Sequence, residues 1–142
     1  MADSTASVTW SGSLLEGGGT IERVGSGVFG NLPITWSART GEEGGKTTPE
    51  ELIAAAHASC YSMALSHRLA QGGNPPDSLE TSATVTFVPG EGITKIAITV
   101  KGSVPGIDEN AFEAAAQDAV ENCPVSKALA AVPEITVEAS LA

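Results

Sequence analysis

Two cysteines hold most of the chemical potential of this chain. Cys60 lies within the longest apolar stretch, Leu52–Leu65 of TTPEELIAAAHASCYSMALSHRLAQGG, and Cys123 lies in ENCPVSKALA, directly before a proline. The first is expected inside a helix where solvent is scarce, the second at a helix break where a side chain can move. That asymmetry suits a reacting and a resolving thiol, because only a thiolate is nucleophilic and a second sulfur must reach the first product. The plain alternative is that Cys60 is a small buried hydrophobe with a raised pKa and no reactivity. To react in an apolar site it needs a nearby cation or hydrogen-bond donor. The chain has three arginines, Arg23, Arg39 and Arg68. Arg39 stands out because it leaves a strand and enters a glycine-rich loop just before the helix. A guanidinium taken into a low-dielectric pocket needs a carboxylate, and Glu50, in the first helical turn, is the candidate. Each residue also has an ordinary reading, Arg39 as a solvated surface charge and Glu50 as a complement to the helix dipole.

The elements that must carry these residues can be read from pattern. Ser7–Leu15 alternates as a strand, Gly17–Gly19 turns the chain, and Thr20–Val24 is its hairpin partner. Leu32–Ser37 reads as a third strand with Ile34 and Trp36 on one face. Thr48-Pro49-Glu50-Glu51 begins a helix, with Thr48 as N-cap, Pro49 at the first helical position and Glu51 closing a capping box. Gly72-Gly73 should end it near Ala70 or Gln71. Ser78–Val88 and Gly92–Val104 form a long hairpin around Pro89-Gly90-Glu91. Asp108 caps a second helix, with Ile107 able to staple onto Phe112. Pro124 interrupts that helix near Asn122 and starts a short one through Val125–Ala131. Glu134–Leu141 closes the chain as a strand. The order is βββ-α-ββ-αα-β, an α+β arrangement of antiparallel sheets around central helices.

Between Leu52 and Leu65 the helix is apolar or small on nearly every face, so it must be covered all round. Ala54, Ala55, Ala56, Ala58 and Ser59 permit close backbone approach, which predicts packing against a second copy in a homodimer. Glu50 and Cys60 are ten residues apart, about 15 Å along an unbroken helix axis. Either Arg39 spans that gap, or an Arg39–Glu50 pair from one subunit serves Cys60 of the other. The second is the reading preferred.

The 142 residues and formal charge of −10, with seven Lys and Arg, predict one domain, 1–142, with no basic patch for nucleic acid or an anionic membrane surface. No apolar run reaches membrane-spanning length and MADSTASVTW lacks the pattern of a secretory leader, so a soluble, cytoplasmic protein is expected.

These residues carry a resemblance. TTPEELIAAAHASCYSMAL and the later NCPVSKAL resemble the OsmC/Ohr family of thiol-dependent peroxidases, and the wording HASCYSMALS and CPVSKAL is closer to the OsmC branch. Thr47-Thr48-Pro49 replaces the more usual Thr-Asn-Pro. The resemblance implies an intertwined homodimer with two active sites at the subunit boundary, reducing organic hydroperoxides and, less readily, hydrogen peroxide. It would make Cys60 the peroxidatic thiol, Cys123 the resolving thiol that closes a Cys60–Cys123 disulfide, Arg39 the activating guanidinium and Glu50 its anchor. No prosthetic cofactor is implied; the reductant would be an external dithiol of lipoyl type. Ile53, Met63 and Phe29 or Phe87 would favour an alkyl chain on the peroxide. Other classes stay open: a zinc site using His57, Cys60, Cys123 and His67, a Cys60–His57 hydrolase dyad, or a non-catalytic dimeric ligand-binding protein.

Overall fold

The structure, a computed structural model, describes residues 1–142. It divides into two compact units, Met1–Leu52 and Ile53–Ala142.

The first unit holds β1 (Ala6–Ser11), β2 (Gly18–Val24) and β3 (Gly30–Ile34), an antiparallel sheet in that order. It also holds a short helix, α1 (Trp36–Arg39), and the start of α2 (Pro49–Gln71). The expected third strand, Leu32–Ser37, is therefore corrected: it stops at Ile34 and Trp36 opens a helix. The cause is Thr35, whose side chain accepts a hydrogen bond from the Ala38 amide at 3.2 Å and caps α1. Arg39 consequently sits in the last turn of a helix rather than in a loop. The segment after α1 is clasped by one carboxylate. Glu43 accepts from the Thr35 hydroxyl at 2.9 Å and the Ser37 hydroxyl at 2.7 Å, and is paired with Lys46.

At the start of α2 the Thr48 hydroxyl accepts from the Glu51 amide at 3.0 Å. The return half of the capping box is not made, because the Glu51 carboxylate accepts instead from the Thr47 hydroxyl at 3.1 Å. The other end closes as expected: Gly73, at φ +88°, lets the amides of Gly73 and Asn74 turn back onto the carbonyls of Ala70 and Leu69.

In the second unit, β4 (Ser78–Val88) and β5 (Gly92–Ser103) pair antiparallel around a turn in which Gly90 has φ +85° and the Glu91 amide reaches the Val88 carbonyl. After α3 (Glu109–Asn122) and α4 (Pro124–Ala128) the chain returns as β6 (Glu134–Leu141) beside β5. Here the expectation of purely antiparallel sheets is corrected, since β5 and β6 are parallel. Two helices between the strands are the long crossover a parallel pair requires. The last short helix is also displaced from Val125–Ala131, because Pro124 occupies its first position.

The core of this unit is one cluster. Ile96, Ile98 and Val100 project from one face of the central strand β5, Tyr61, Leu65 and Leu69 from α2, and Phe112, Ala115 and Ala119 from α3. The Phe112 ring occupies the place a side chain at Gly102 would take: a Cβ there would lie 2.6 Å from its Cζ. The Tyr61 hydroxyl donates to the Ala116 carbonyl at 3.1 Å, so its polar end is satisfied in the core.

Gly102→Ala should therefore lose about 1–3 kcal/mol through overpacking against Phe112, read as a lower denaturant midpoint with unchanged slope. Glu43 has its pKa lowered from 4.5 to about 2, chiefly by its bonds to Lys46, Ser37 and Thr35. A carboxyl whose folded pKa is depressed adds stability above its unfolded pKa and loses it as pH falls through the folded value. The clasp should thus persist through pH 4.5 and release on approach to about pH 2. Carbon-detected titration of the Glu43 carboxyl checks this; a midpoint near 4.5 would contradict it.

Candidate active site

In the second unit the break between α3 and α4 decides where Cys123 points. Pro124 opens α4 and disfavours helical backbone in the residue before it, so Cys123 is extended at φ −66°, ψ 121° and serves as C-cap of α3 and N-cap of α4 at once. Its side chain enters the core and is fully buried. Cys60 comes from the middle of α2, and the two sulfurs lie 3.2 Å apart, both as free thiols. The disulfide distance is about 2.05 Å, so bond formation needs the sulfurs to close by little more than an ångström.

The burial of the two thiols reverses the expectation. Cys123 is fully enclosed, whereas Cys60 is only partly buried. The reason lies in the helix: Ala55, Ala56, Ser59, Met63 and His67 are exposed along α2, with Met63 at 72%, and Cys60 lies beside that open stripe. Proximity to proline gave Cys123 a fixed, inward direction.

The electrostatics of the pair are also unequal. Burial pushes the Cys60 thiol up and neighbouring Cys123 adds to this, while the Val125 amide opposes both. Burial also tends to raise Cys123, but the Ser126 amide, the Cys60 thiol, the Ser126 hydroxyl and the Val125 amide outweigh it, so its pKa is lowered. No side-chain hydrogen bond caps α4, so these amides act mainly as dipoles at the start of the helix.

His57 lies one turn before Cys60 and is fully buried. Its Nε2 is 2.7 Å from the Ser126 hydroxyl oxygen, and its Nδ1 has no partner. Burial lowers its pKa, which favours the neutral ring. The zinc reading finds no support here: no group of three or more His, Cys, Asp or Glu is placed to hold a metal ion, and His67 is exposed. The hydrolase dyad fares no better, as the only side-chain hydrogen bond of His57 runs to Ser126. Ser126 itself was not singled out from sequence. Its signal was its spacing, three residues after a capping cysteine, where an N-cap side chain meets the first turn.

In the first unit, Arg39 and Glu50 form the expected pair. Arg39 Nε donates to Glu50 Oε1 at 3.0 Å and Nη2 donates to the same oxygen at 2.8 Å. Glu50 is 5% exposed, while a third of the Arg39 side chain remains accessible. The fork holds the guanidinium in a fixed plane, as a bidentate arginine contact does.

No helix is long and apolar enough to cross a membrane. The model of the family described as "OsmC-like protein" matches residues 41–138. Peroxiredoxin OsmC of Escherichia coli (strain K12) is 44% identical over 136 residues, covering 93% of this chain and 92% of that protein. Among solved structures, the organic hydroperoxide resistance protein OhrB of Bacillus subtilis is 25% identical with a TM-score of 0.63, covering 97% of this chain and 98% of its own. An OsmC-like protein of unknown function from Vibrio cholerae shares the fold with a TM-score of 0.72 at 20% identity, covering 98% of this chain and 99% of its own. A family match over most of the chain, a relative of this identity and an α+β fold shared with solved members together place the chain in the OsmC family.

Proposed function

We propose that this protein is a thiol-dependent peroxidase that reduces organic hydroperoxides, and hydrogen peroxide less readily, with Cys60 as the peroxidatic and Cys123 as the resolving cysteine. The reading rests on one observation above all, two reduced sulfurs 3.2 Å apart contributed by elements 63 positions apart in sequence. The identity with Peroxiredoxin OsmC and the likeness to an organic hydroperoxide resistance protein support it.

In this mechanism the Cys60 thiolate attacks one peroxide oxygen, the O–O bond breaks, and the alkoxide leaves as alcohol once protonated. Cys60 is then a sulfenic acid. The Cys123 thiolate attacks that sulfur, the S–S bond forms, and hydroxide departs as water with one proton. An external dithiol, of lipoyl type, returns the pair to thiols by exchange.

The raised pKa of Cys60 calls for a cation, and the Arg39 guanidinium, held flat by Glu50, is the group assigned to it. The same guanidinium would stabilise the developing alkoxide. Glu50 and Cys60 stand ten positions apart on one helix, which favours an Arg39–Glu50 pair acting on Cys60 of a second subunit. A homodimer would also cover the apolar surface at Val8, Leu15, Val28 and Met63, all at least half exposed. In this proposal residues 1–142 work as one domain of a cytoplasmic enzyme.

Cys60→Ser should abolish consumption of an alkyl hydroperoxide. Cys123→Ser should allow a first turnover and then accumulate sulfinic and sulfonic acid at Cys60. Arg39→Ala should slow the first oxidation by about a hundredfold or more, followed by stopped-flow loss of peroxide. Undiminished turnover by Cys60→Ser would end the peroxidase reading in favour of a non-catalytic, ligand-binding dimer.

A further inference from the structure

The peroxidase chemistry leaves one buried pair unused. His57 Nε2 and the Ser126 hydroxyl oxygen stand 2.7 Å apart, joining residues 69 positions apart in sequence. The pair repeats the spacing of the cysteines. His57 precedes Cys60 by three residues on α2, and Ser126 follows Cys123, the N-cap of α4, by three residues. Residues three apart on a helix share a face and lie about 4.5 Å apart along its axis. The sulfur contact at 3.2 Å and the imidazole–hydroxyl contact at 2.7 Å are thus two neighbouring rungs between the same two segments.

Little else fixes α4. It is five residues long, too short to hold its form alone, and it follows the extended backbone of Cys123, where the chain changes direction. Val125 and, after the helix, Leu129 pack on the core only partly buried, so Ser126 is the one buried residue of α4. An apolar side chain would fill that place without a desolvation cost, but apolar contact is non-directional and lets surfaces slide. A hydrogen bond fixes both distance and direction. Ser126 is also the one side-chain partner of His57, since Nδ1 has none. Whichever of the two donates, each side chain here depends on the other.

We propose that His57 and Ser126 are positioning residues for the resolving step: their hydrogen bond clamps α4 to α2 one turn from the sulfurs and so raises the effective concentration of Cys123 at Cys60. The inference rests on the two-cysteine reading above and deepens it. A thiol held in place reaches the Cys60 sulfenic acid as an intramolecular partner, ahead of a second peroxide from solution. In that step the Cys123 sulfur bonds to the Cys60 sulfur, the S–O bond breaks, and the oxygen departs as water with the thiol proton. The clamp also favours the disulfide at equilibrium, because the reduced pair is already held near the bonded arrangement.

The test equilibrates the whole protein with mixtures of reduced and oxidised dithiothreitol. Two thiol hydrogens and two electrons pass from Cys60 and Cys123 to the reagent's disulfide, so no peroxide is involved. Ser126→Ala should make the Cys60–Cys123 disulfide about fivefold to tenfold easier to reduce, a potential about 20 to 30 mV less negative. Ser126→Thr, which keeps the hydroxyl, should restore most of the difference. His57→Leu combined with Ser126→Ala removes both polar groups, so neither is left unpaired and the denaturant midpoint should stay near that of wild type. This double variant should nevertheless show the same loss of disulfide stability. Given a fixed dose of alkyl hydroperoxide, Ser126→Ala should also accumulate more sulfinic acid at Cys60 than wild type does. A dithiol equilibrium unmoved in the folded double variant would overturn the clamp. Wild-type protein that closes the disulfide with dithiothreitol but not with peroxide would overturn the peroxidase reading alone, and the shift in the double variant would still support the clamp.

Discussion

Proline 124 imposes the constraint on which the chemistry depends. It ends α3, forces extended backbone on Cys123 and starts α4 in a new direction. The buried sulfur is thereby turned toward α2 and meets Cys60 at 3.2 Å. The rest of residues 53–142 serves to hold that meeting. Tyr61, Leu65 and Leu69 fix α2 within the core, Phe112 and Ala119 fix α3, and β5 supplies Ile96, Ile98 and Val100 as the floor. Leu65 and Phe112 are fully buried, so neither helix can shift without disturbing close-packed neighbours.

Both sulfurs in one site cannot comfortably be negative, and their surroundings separate them. Cys123 lies among amide dipoles and a hydroxyl, which lower its pKa; Cys60 has burial and a sulfur neighbour, which raise it. On the proposed reading, a resolving thiol set among hydrogen-bond donors and a peroxidatic thiol that needs a cation would divide the labour. It would make Arg39 a condition for the first step rather than an accessory. The fork onto Glu50 supplies the rigidity this role requires, since a mobile guanidinium would lose much of its gain to side-chain entropy.

Much of this was legible in the sequence, for local reasons. Proline at the first helical position, Thr48 before it and paired glycines after Gln71 fixed both ends of α2, and the alternation of Ser78–Val88 gave β4 its full length. The Arg39–Glu50 pair followed from charge logic. Failures arose where one signal imitated another or where distant parts decide. Ile34 and Trp36 alternate like strand residues, yet Thr35 between them is a helix cap. The parallel course of β6 depends on how two helices carry the chain back, which no short pattern records. Burial of Cys123 depends on the core it faces, and proximity to proline suggested mobility instead. Ser126 is an unremarkable serine until His57, 69 positions away, lies against it.

The central claim is that Cys60 and Cys123 form one redox unit, and peptide mass spectrometry after a stoichiometric dose of an alkyl hydroperoxide tests it most directly. The account predicts an intact mass lower by two hydrogens and a linked peptide joining residues 60 and 123. Oxygen retained on Cys60, with Cys123 still alkylatable, would contradict it.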